Sequence, residues 1–194
     1  MRYEKGRKGA SRDRIMEVAA ERFRSDGIAA SGLATIMSDA GLTNGAFYPH
    51  FGSKAELVRE SVVAALDVQA QQLREALAAG GPELAIAAYL SAEHRDNPGK
   101  GCASAALLPE LARQPPETRK VYTDRFLSLV HQVSAALPQS KDPEGVALAV
   151  YAMLIGTLQL ARAVEGTELS DRILAAGKDA ARTLIQLHQN EVAS

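Results

Sequence analysis

Residues 31–54 read SGLATIMSDAGLTNGAFYPHFGSK and set the architecture of the chain. Gly41 divides this stretch by a tight turn, and Thr43 opens a second, very short helix that ends near Pro49. Two short helices joined by a tight turn make a helix-turn-helix. The first of the two is predicted from apolar residues spaced along one helical face, namely Leu33, Ile36, Met37 and Ala40.

The second short helix has too few residues to be stable alone, so its neighbours must hold it. Ala46, Phe47 and Phe51 are predicted to pack inward against the preceding helices. Such packing leaves outward a set of residues that are small or can form hydrogen bonds, Thr43, Asn44, Gly45, Tyr48 and His50. This surface suits a helix end that reaches base edges in DNA while phosphates are held at its margins.

Helical patterns fill the rest of the chain, and no convincing strand is present. Ser11 is expected to cap a first helix that stops at Gly27, and a Ser-x-x-Glu capping box at 53–56 opens a long helix toward Gly80. Five further helices are expected over 83–96, from Cys102 with an interruption at Pro109, from Pro116 to Pro138, from Asp142 to about Val164, and from Ser170 to about Gln189. The chain is therefore predicted to be all-α, with nine helices.

Composition and charge differ between the two parts of the chain. Apolar residues make up 46% of the 194, and Trp is absent, a balance that favours helix over sheet. Residues 1–54 contain nine Lys and Arg against six Asp and Glu, whereas the other 140 contain thirteen against seventeen. A basic N-terminal part on an acidic body predicts that only the N-terminal part meets a polyanion such as double-stranded DNA.

Several classes of function are disfavoured by what the sequence lacks. The single cysteine, Cys102, leaves no internal disulfide and fits a reducing cytoplasm. We expect a cytoplasmic protein without a membrane partner, because the N-terminus has no signal-peptide pattern and no apolar run is long enough for a membrane span. The four histidines show no metal-ligand spacing, and no phosphate-binding glycine loop or Gly-x-Ser-x-Gly elbow is present. We therefore expect no catalytic residue, metal or cofactor, and no enzyme activity.

The motif Ala-Gly-Leu-Thr, followed by Gly-x-Phe-Tyr-x-His-Phe-x-Ser-Lys, spans residues 40–54. With this motif, residues 11–71 resemble the DNA-binding domain of the TetR family of bacterial regulators. The resemblance implies a helix-turn-helix domain at 11–71 and a ligand-binding and dimerisation domain at 72–194. It implies a sequence-specific transcriptional regulator, a repressor that binds a palindromic operator as a homodimer and is released by a small-molecule effector.

The resemblance also implies roles for individual residues. Thr43 would cap the recognition helix, and Asn44 would read bases from an outward position. Tyr48, His50 and Lys54 match positions that contact phosphate. The full set implied for DNA binding is Ser31, Thr43, Asn44, Gly45, Tyr48, His50 and Lys54.

Two positions depart from the family pattern. Gly32 stands where the family often has a second hydroxyl residue, which weakens the case for one phosphate contact, and Met37 stands where Ala is usual. The basic residues of the N-terminal arm have two interpretations, because they could follow the DNA backbone or simply be solvated. These residues are Arg2, Lys5, Arg7, Lys8, Arg12 and Arg14.

The last two predicted helices are unusually apolar, and we expect them to form a four-helix interface with their two-fold mates. The small residues Ala149, Ala152 and Gly156 would let these helices approach closely. The alternative is an ordinary core within a monomer. The apolar faces comprise Val146, Leu148, Val150, Met153, Leu154 and Leu158, then Ile173, Leu174, Ala181, Leu184 and Ile185.

The other C-terminal helices are expected to surround a pocket for an unknown small-molecule effector. The candidate ligand-binding residues are Tyr89, His94, Cys102, Tyr122, Phe126, Met153 and Gln159. Cys102 is either a reactive thiol at a helix N-terminus beside Lys100 or a small buried residue. Two other functions stay open, namely a cofactor-free enzyme or transport protein with a helical pocket, and an interaction module that keeps the helix-turn-helix as a scaffold.

Overall fold

The computed structural model describes residues 2–137 and 140–190, with side chains described from residue 9 to residue 188. Within these residues the protein is all-α and has no strand, as predicted. Eight α-helices take the place of the nine expected, and two 3₁₀ helices lie between them at Asn44–Ala46 and Pro98–Lys100. The α-helices are α1 Arg2–Asp26, α2 Leu33–Asp39, α3 Lys54–Tyr89, α4 Ala92–Asp96, α5 Ala103–Leu111, α6 Pro116–Ala135, α7 Pro143–Ala163 and α8 Thr167–Asn190.

The N-terminal helices share one apolar core with the start of α3. Gly27 ends α1, as predicted, by adopting φ +88°, a left-handed conformation that glycine tolerates without strain. Arg22 of α1 pairs with Asp39 at the far end of α2, with an N–O distance of 2.6 Å. The core side chains include Ile15, Ala19, Phe23, Ile36, Met37, Phe47, Phe51 and Leu57, all at most 1% exposed.

The prediction that Ser11 caps the first helix is wrong, because α1 already begins at Arg2. Arg12 explains the difference: its guanidinium pairs with Glu60 of α3 and lies 4.9 Å from the centre of the Phe51 ring. Once tertiary contacts fix one turn of a helix, further turns add at little cost, and no cap is needed at residue 11. The basic arm is therefore helical in its backbone, and the side chains of residues 2–8 lie outside the described residues.

The long helix α3 begins with the predicted cap. The Ser53 hydroxyl accepts a hydrogen bond from Glu56 N at 3.1 Å, and the Glu56 carboxylate accepts one from Gly52 N at 2.8 Å. The predicted break is confirmed at Gly80 and Gly81, where Gly81 adopts φ +64° and ψ −161°. The helix thus consists of a first part of about seven turns and a short second part that resumes beside Pro82.

Two helix boundaries in the C-terminal part differ from the prediction. The helix expected over 83–96 is two helices, because α3 ends at Tyr89 and the Ser91 hydroxyl caps α4 by accepting from His94 N at 3.1 Å. The last helix begins at Thr167 rather than at Ser170. The Ser170 hydroxyl donates to the Ala161 carbonyl of α7 at 2.6 Å, so this serine joins two helices instead of starting one.

Helix α7 lies in the core of the C-terminal part, packed against α6 and α8. Asp142 caps it through a 2.9 Å hydrogen bond from Gly145 N, and Pro143 occupies its first turn, as predicted. Among the described residues it is the one helix long and apolar enough to cross a membrane, but its most apolar face is covered by the rest of the chain. Pro138, expected to close α6, lies outside the described residues.

Most of the apolar residues that were expected at a dimer interface lie inside the protomer. Val146, Val150, Leu154, Leu158, Leu174, Ala181 and Ile185 are buried in the core. The surface of α7 instead presents Leu148, Ala149, Ala152 and Leu160, and that of α8 presents Leu169, Ala176, Ala180 and Leu187. The two helices therefore divide their apolar residues between a core face and an exposed face. Only the exposed face is left for a dimer interface, which stays a prediction.

Pro109 lies inside α5 without interrupting it. Proline has no N–H, so the Ala105 carbonyl one turn earlier loses its helical partner. The Gln159 side-chain amide of α7 replaces that partner by donating to the Ala105 oxygen at 3.0 Å. The residue that was expected to bind a ligand thus completes the hydrogen bonding of a helix.

Candidate nucleic-acid interface

The segment expected to be a recognition helix is one 3₁₀ turn, Asn44–Ala46, followed by a tight turn through His50. Thr43 lies at its N-cap position, but the threonine side chain makes no capping hydrogen bond. The backbone bonds that form the segment run from Ala46 N to Thr43 O at 2.9 Å and from Phe47 N to Asn44 O at 3.2 Å. So short a segment holds its shape through its neighbours, as the sequence predicts.

Two phenylalanines fix this recognition segment to the core. Phe47 and Phe51 are each 1% exposed, and their rings stack with centroids 5.6 Å apart. The ring of Tyr48 meets Phe47 edge-on at 5.4 Å, which aims the tyrosine hydroxyl away from the core. The inward packing of Phe47 and Phe51 is therefore confirmed.

The outward side of the recognition segment carries Thr43, Asn44, Gly45 and Tyr48, all exposed. Tyr48 is 70% exposed, the largest exposure among the described large apolar side chains. A Cβ built on Gly45 would meet no atom within 4 Å, so nothing of the protein crowds this backbone. These groups offer one hydroxyl, one amide and one phenol on a surface that a groove of DNA can approach.

Three of the residues proposed from sequence are placed differently. Ser31 is 3% exposed and donates its hydroxyl to the Gly27 carbonyl at 2.7 Å, so it closes the turn after α1 rather than facing solvent. The Lys54 ammonium donates to the Ile28 carbonyl at 2.6 Å. His50 is half-buried, and its Nδ1 is buried without a partner among the described residues.

The turn between α1 and α2 is held by a residue that the sequence reasoning missed. Glu110, near the end of α5, accepts hydrogen bonds from Ile28 N at 3.0 Å and from Ala29 N at 2.9 Å. Arg24 of α1 donates to the Gly99 carbonyl at 2.7 Å, a second contact with the C-terminal part. The signal for Glu110 was its position, because a carboxylate in the last turn of a helix is locally unfavourable.

The C-terminal candidates fall into a buried cluster with His94 at its edge. His94 Nδ1 donates to the Tyr89 carbonyl at 2.6 Å, and Nε2 accepts from Cys102 N at 2.9 Å, a pattern that requires the neutral ring. Burial lowers the pKa of His94 below its ordinary value of 6.5. Cys102 is 4% exposed and its sulfur caps α5 by accepting from Ala105 N at 3.4 Å, so the cysteine is buried rather than accessible.

Aromatic residues form the rest of this interior cluster. Tyr122 shares a 3.0 Å hydroxyl contact with Ser104 and stacks on Phe126, and Phe126 meets Tyr151 edge-on at 5.4 Å. Burial raises the pKa values of the Tyr122 and Tyr151 hydroxyls, so these phenols stay neutral. Sequence reasoning missed Tyr151 and Gln69, which donates its side-chain amide to the Tyr151 oxygen.

Two polar atoms in this region have no hydrogen-bond partner among the described residues. They are the Tyr89 hydroxyl and the Gln69 side-chain carbonyl. A buried polar atom without a partner costs about 1–3 kcal/mol, so each is a position at which water or a polar ligand would be stabilising. Met153 is half-buried beside the core, whereas Gln159 is already engaged with Ala105. The described residues contain no group of three metal-ligating side chains.

Sequence comparison tests the assignment of this N-terminal domain. Residues 15–61 match the profile of the family described as bacterial regulatory proteins, tetR family. This match covers the helix-turn-helix with its exposed recognition segment and the start of α3. The chain therefore contains a DNA-binding domain of the TetR family at residues 15–61. It is accordingly a DNA-binding transcriptional regulator, and no curated protein sequence matches it.

Solved structures show that the TetR-like fold extends over nearly the whole chain. The reduced form of NemR from E. coli has 20% sequence identity and a TM-score of 0.74, covering 88% of this chain and 96% of NemR. A TetR-family regulator from Agrobacterium tumefaciens has 20% identity and a TM-score of 0.75, with 89% and 98% covered. One from Cytophaga hutchinsonii has 19% identity and a TM-score of 0.76, with 93% and 95% covered. At these identities the likeness is one of fold.

Proposed function

We propose that this TetR-family regulator is a repressor that binds a near-palindromic operator as a homodimer and leaves it when a small molecule binds. The observation that carries the proposal is the recognition segment, in which buried Phe47 and Phe51 hold Thr43, Asn44 and Tyr48 exposed. Asn44 is assigned to base reading because an amide can bond an adenine edge in two places. Thr43 and Tyr48 are assigned to phosphate, since a hydroxyl can donate to it from either groove margin.

Four residues of the set remain. Gly45 leaves its backbone open to a close approach by DNA, and the contribution of the other three follows from their bonds. Lys54 supports binding through its ammonium charge, which still has two N–H groups beyond the one given to Ile28. The unpaired Nδ1 of half-buried His50 is itself buried, so the proposed phosphate contact of this residue falls to its other ring nitrogen. Ser31 has no such free group, and its part in the proposal is to fix the turn before α2.

The exposed apolar faces of α7 and α8 support the homodimer. Leu160 and Leu187 are 59% and 57% exposed, and small residues lie between the large ones on α7. A Cβ built on Gly156 would meet no atom within 4 Å, which leaves room for a helix of a second copy. Pairing the two faces about a two-fold axis would bury them as a four-helix interface.

The interior cluster is where we place the effector. Its described side chains are aromatic or neutral, and the unpaired Tyr89 hydroxyl and Gln69 carbonyl could bond a polar group. The elements that meet there are α3, α5, α6 and α7, so a ligand at this point contacts α3, the helix that carries the helix-turn-helix. Differential affinity for two positions of α3 would couple the sites, and about 1–3 kcal/mol is a typical coupling.

Selection from a random pool of duplexes tests the proposed DNA binding. The full-length protein should enrich an inverted repeat whose half-sites lie about one helical turn apart. Fluorescence anisotropy on the enriched duplex should show affinity falling steeply between about 50 and 200 mM salt. Enrichment of no sequence despite salt-dependent binding would contradict a specific regulator, and absence of any binding would favour the interaction-module alternative.

A further inference from the structure

The C-terminal domain contributes a side chain to the structure of the helix-turn-helix domain at residues 11–71, which is called the head below. Glu110 of α5 lies more than eighty residues from the α1–α2 turn in sequence, yet its two carboxylate oxygens each accept one backbone N–H of that turn. Hydrogen bonds to a carboxylate are roughly twice as strong as those between neutral groups. The turn is therefore held by a charge that the helix-turn-helix sequence does not itself contain.

The same peptide groups are held from the opposite side by the head. Lys54, the first residue of α3, donates to the Ile28 carbonyl, so Ile28 is bonded through its N–H to α5 and through its oxygen to α3. A Cβ on Gly27 would lie 2.8 Å from Glu110 Oε1, so a larger residue at this position would displace the carboxylate. The turn, the carboxylate and the lysine thus meet in one hydrogen-bonded junction.

Glu110 occupies a position that its own helix disfavours. It is the penultimate residue of α5, where the helix dipole places partial negative charge and acidic side chains are destabilising. Local structure therefore gives no reason for a carboxylate here. The reason lies in the other domain, where the carboxylate accepts the hydrogen bonds of Ile28 and Ala29.

The other end of α5 is fixed within the C-terminal domain. Cys102 N donates to His94 at 2.9 Å, Ser104 contacts the Tyr122 hydroxyl at 3.0 Å, and the Ala105 carbonyl accepts from Gln159. Helix α5 thus spans from the interior cluster to the α1–α2 turn in nine residues. Contacts with α4, α6 and α7 fix the position of one end of α5, and the other end contacts the head through Glu110.

We infer that Glu110 is a positioning residue for DNA recognition, through which α5 sets the orientation of α2 and the recognition segment. The inference rests on the proposed DNA binding and adds to it a residue outside the helix-turn-helix. Glu110 itself lies behind the turn and is assigned no contact with DNA. Its removal should therefore loosen the turn and lower discrimination between sequences while leaving charge-driven binding in place.

The test uses the full-length protein with Glu110→Ala and Glu110→Gln. Amide exchange at Ile28 and Ala29, measured by NMR, should accelerate at least about 10-fold in Glu110→Ala. The affinity ratio between the duplex selected by the unsubstituted protein and a scrambled duplex should fall about 10-fold, with scrambled binding unchanged. Glu110→Gln keeps the length and one acceptor oxygen, so it should give intermediate values, and it replaces Glu110→Ala if that variant does not fold.

Glu165→Gln is the matched control, since Glu165 is an exposed carboxylate in the α7–α8 loop with no described ion pair. It should leave both exchange and the affinity ratio unchanged. An unaltered ratio in both Glu110 variants would overturn the inference, whether or not exchange accelerates, because a purely structural role lowers stability and scales both affinities together. If the unsubstituted protein selects no duplex, the proposed function fails first, and the positioning role fails with it.

Discussion

At the scale of single residues, exposure and bonding divide the proposed DNA contacts into two kinds. The side chains of Asn44 and Tyr48 are exposed to solvent, whereas Lys54 and Ser31 each donate at least one hydrogen bond to the α1–α2 turn. Sequence alone could place Phe47 and Phe51 in the core, because their size and spacing leave no alternative. It could not separate Ser31 from Thr43, since both are hydroxyl residues before short helices and only tertiary packing buries one of them.

Asn44→Ala should change which bases are tolerated. Loss of the amide should reduce the penalty for replacing the base pair that Asn44 reads, a penalty of about 1–3 kcal/mol in the unsubstituted protein. Tyr48→Phe is the contrasting variant, because losing a phosphate contact should weaken all duplexes equally and, the group being neutral, leave the salt dependence unchanged. Competition with every single-pair variant of the selected duplex measures both. A uniform loss in Asn44→Ala would remove its base-reading role.

His94 should make stability depend on pH. Burial holds the folded pKa below 6.5, so below that pH the unfolded chain binds a proton that the folded protein does not. Stability should therefore be full above pH about 6.5 and fall as the pH decreases through the window below it. Urea unfolding between pH about 5 and 7.5 measures the slope. His94→Gln, whose amide oxygen can accept from Cys102 N, should flatten it, whereas His131→Gln on the exposed side of α6 should not.

At the scale of helices, the sequence predicted which segments are helical better than it predicted the residues at which the helices begin. The glycine break in α3, the Asp142 cap and the all-α class follow from local chemistry, and all are confirmed. The failures at Ser11 and Ser170 share one cause: each is a good cap in isolation, but tertiary contacts extend the helix past it. The prediction that Gln159 binds a ligand failed for a related reason. Its partner is the Ala105 carbonyl, which Pro109, fifty residues away in sequence, leaves without a helical hydrogen bond.

The bond between Gln159 and α5 should be measurable as a coupling with Pro109. Gln159→Leu leaves the Ala105 carbonyl unsatisfied and should cost about 1–3 kcal/mol in the free energy of unfolding. Pro109→Ala restores an N–H that can reach the same carbonyl within the helix. In the double variant much of the Gln159→Leu loss should therefore be recovered, as urea denaturation of the four proteins would show. Strictly additive effects would mean that Gln159 does not complete α5.

At the scale of the whole molecule, the two domains share structural elements. The boundary predicted near residue 71 falls within α3, and both Arg24 and the α1–α2 turn are bonded to the C-terminal part. The sequence pattern could separate a DNA-binding domain from the rest of the chain, because the helix-turn-helix motif is local. It could not show how they are joined, since the joining residues are single side chains without periodicity.

The exposed faces of α7 and α8 should hold two protomers together. Leu160→Glu with Leu187→Glu places charges on the proposed interface and should give a folded monomer in sedimentation velocity, because neither side chain supports the protomer core. Leu127→Glu, on the partly exposed surface of α6, is the control and should leave the dimer intact. Leu154, only 8% exposed, is unsuitable for this purpose, since a charge there should unfold the protomer. An unsubstituted protein that sediments as a monomer would contradict the interface.

The break at Gly80 and Gly81 has a mechanical consequence. The 26 residues of α3 that precede it form a lever arm about 39 Å long at 1.5 Å per residue. Pivoting this arm by about 5° displaces its tip at Lys54 by about 3.4 Å, which equals the rise of one base pair along DNA. In a two-fold dimer both tips move. A rotation of a few degrees at a glycine pair far from the DNA would therefore shift each recognition segment by the length of one base pair.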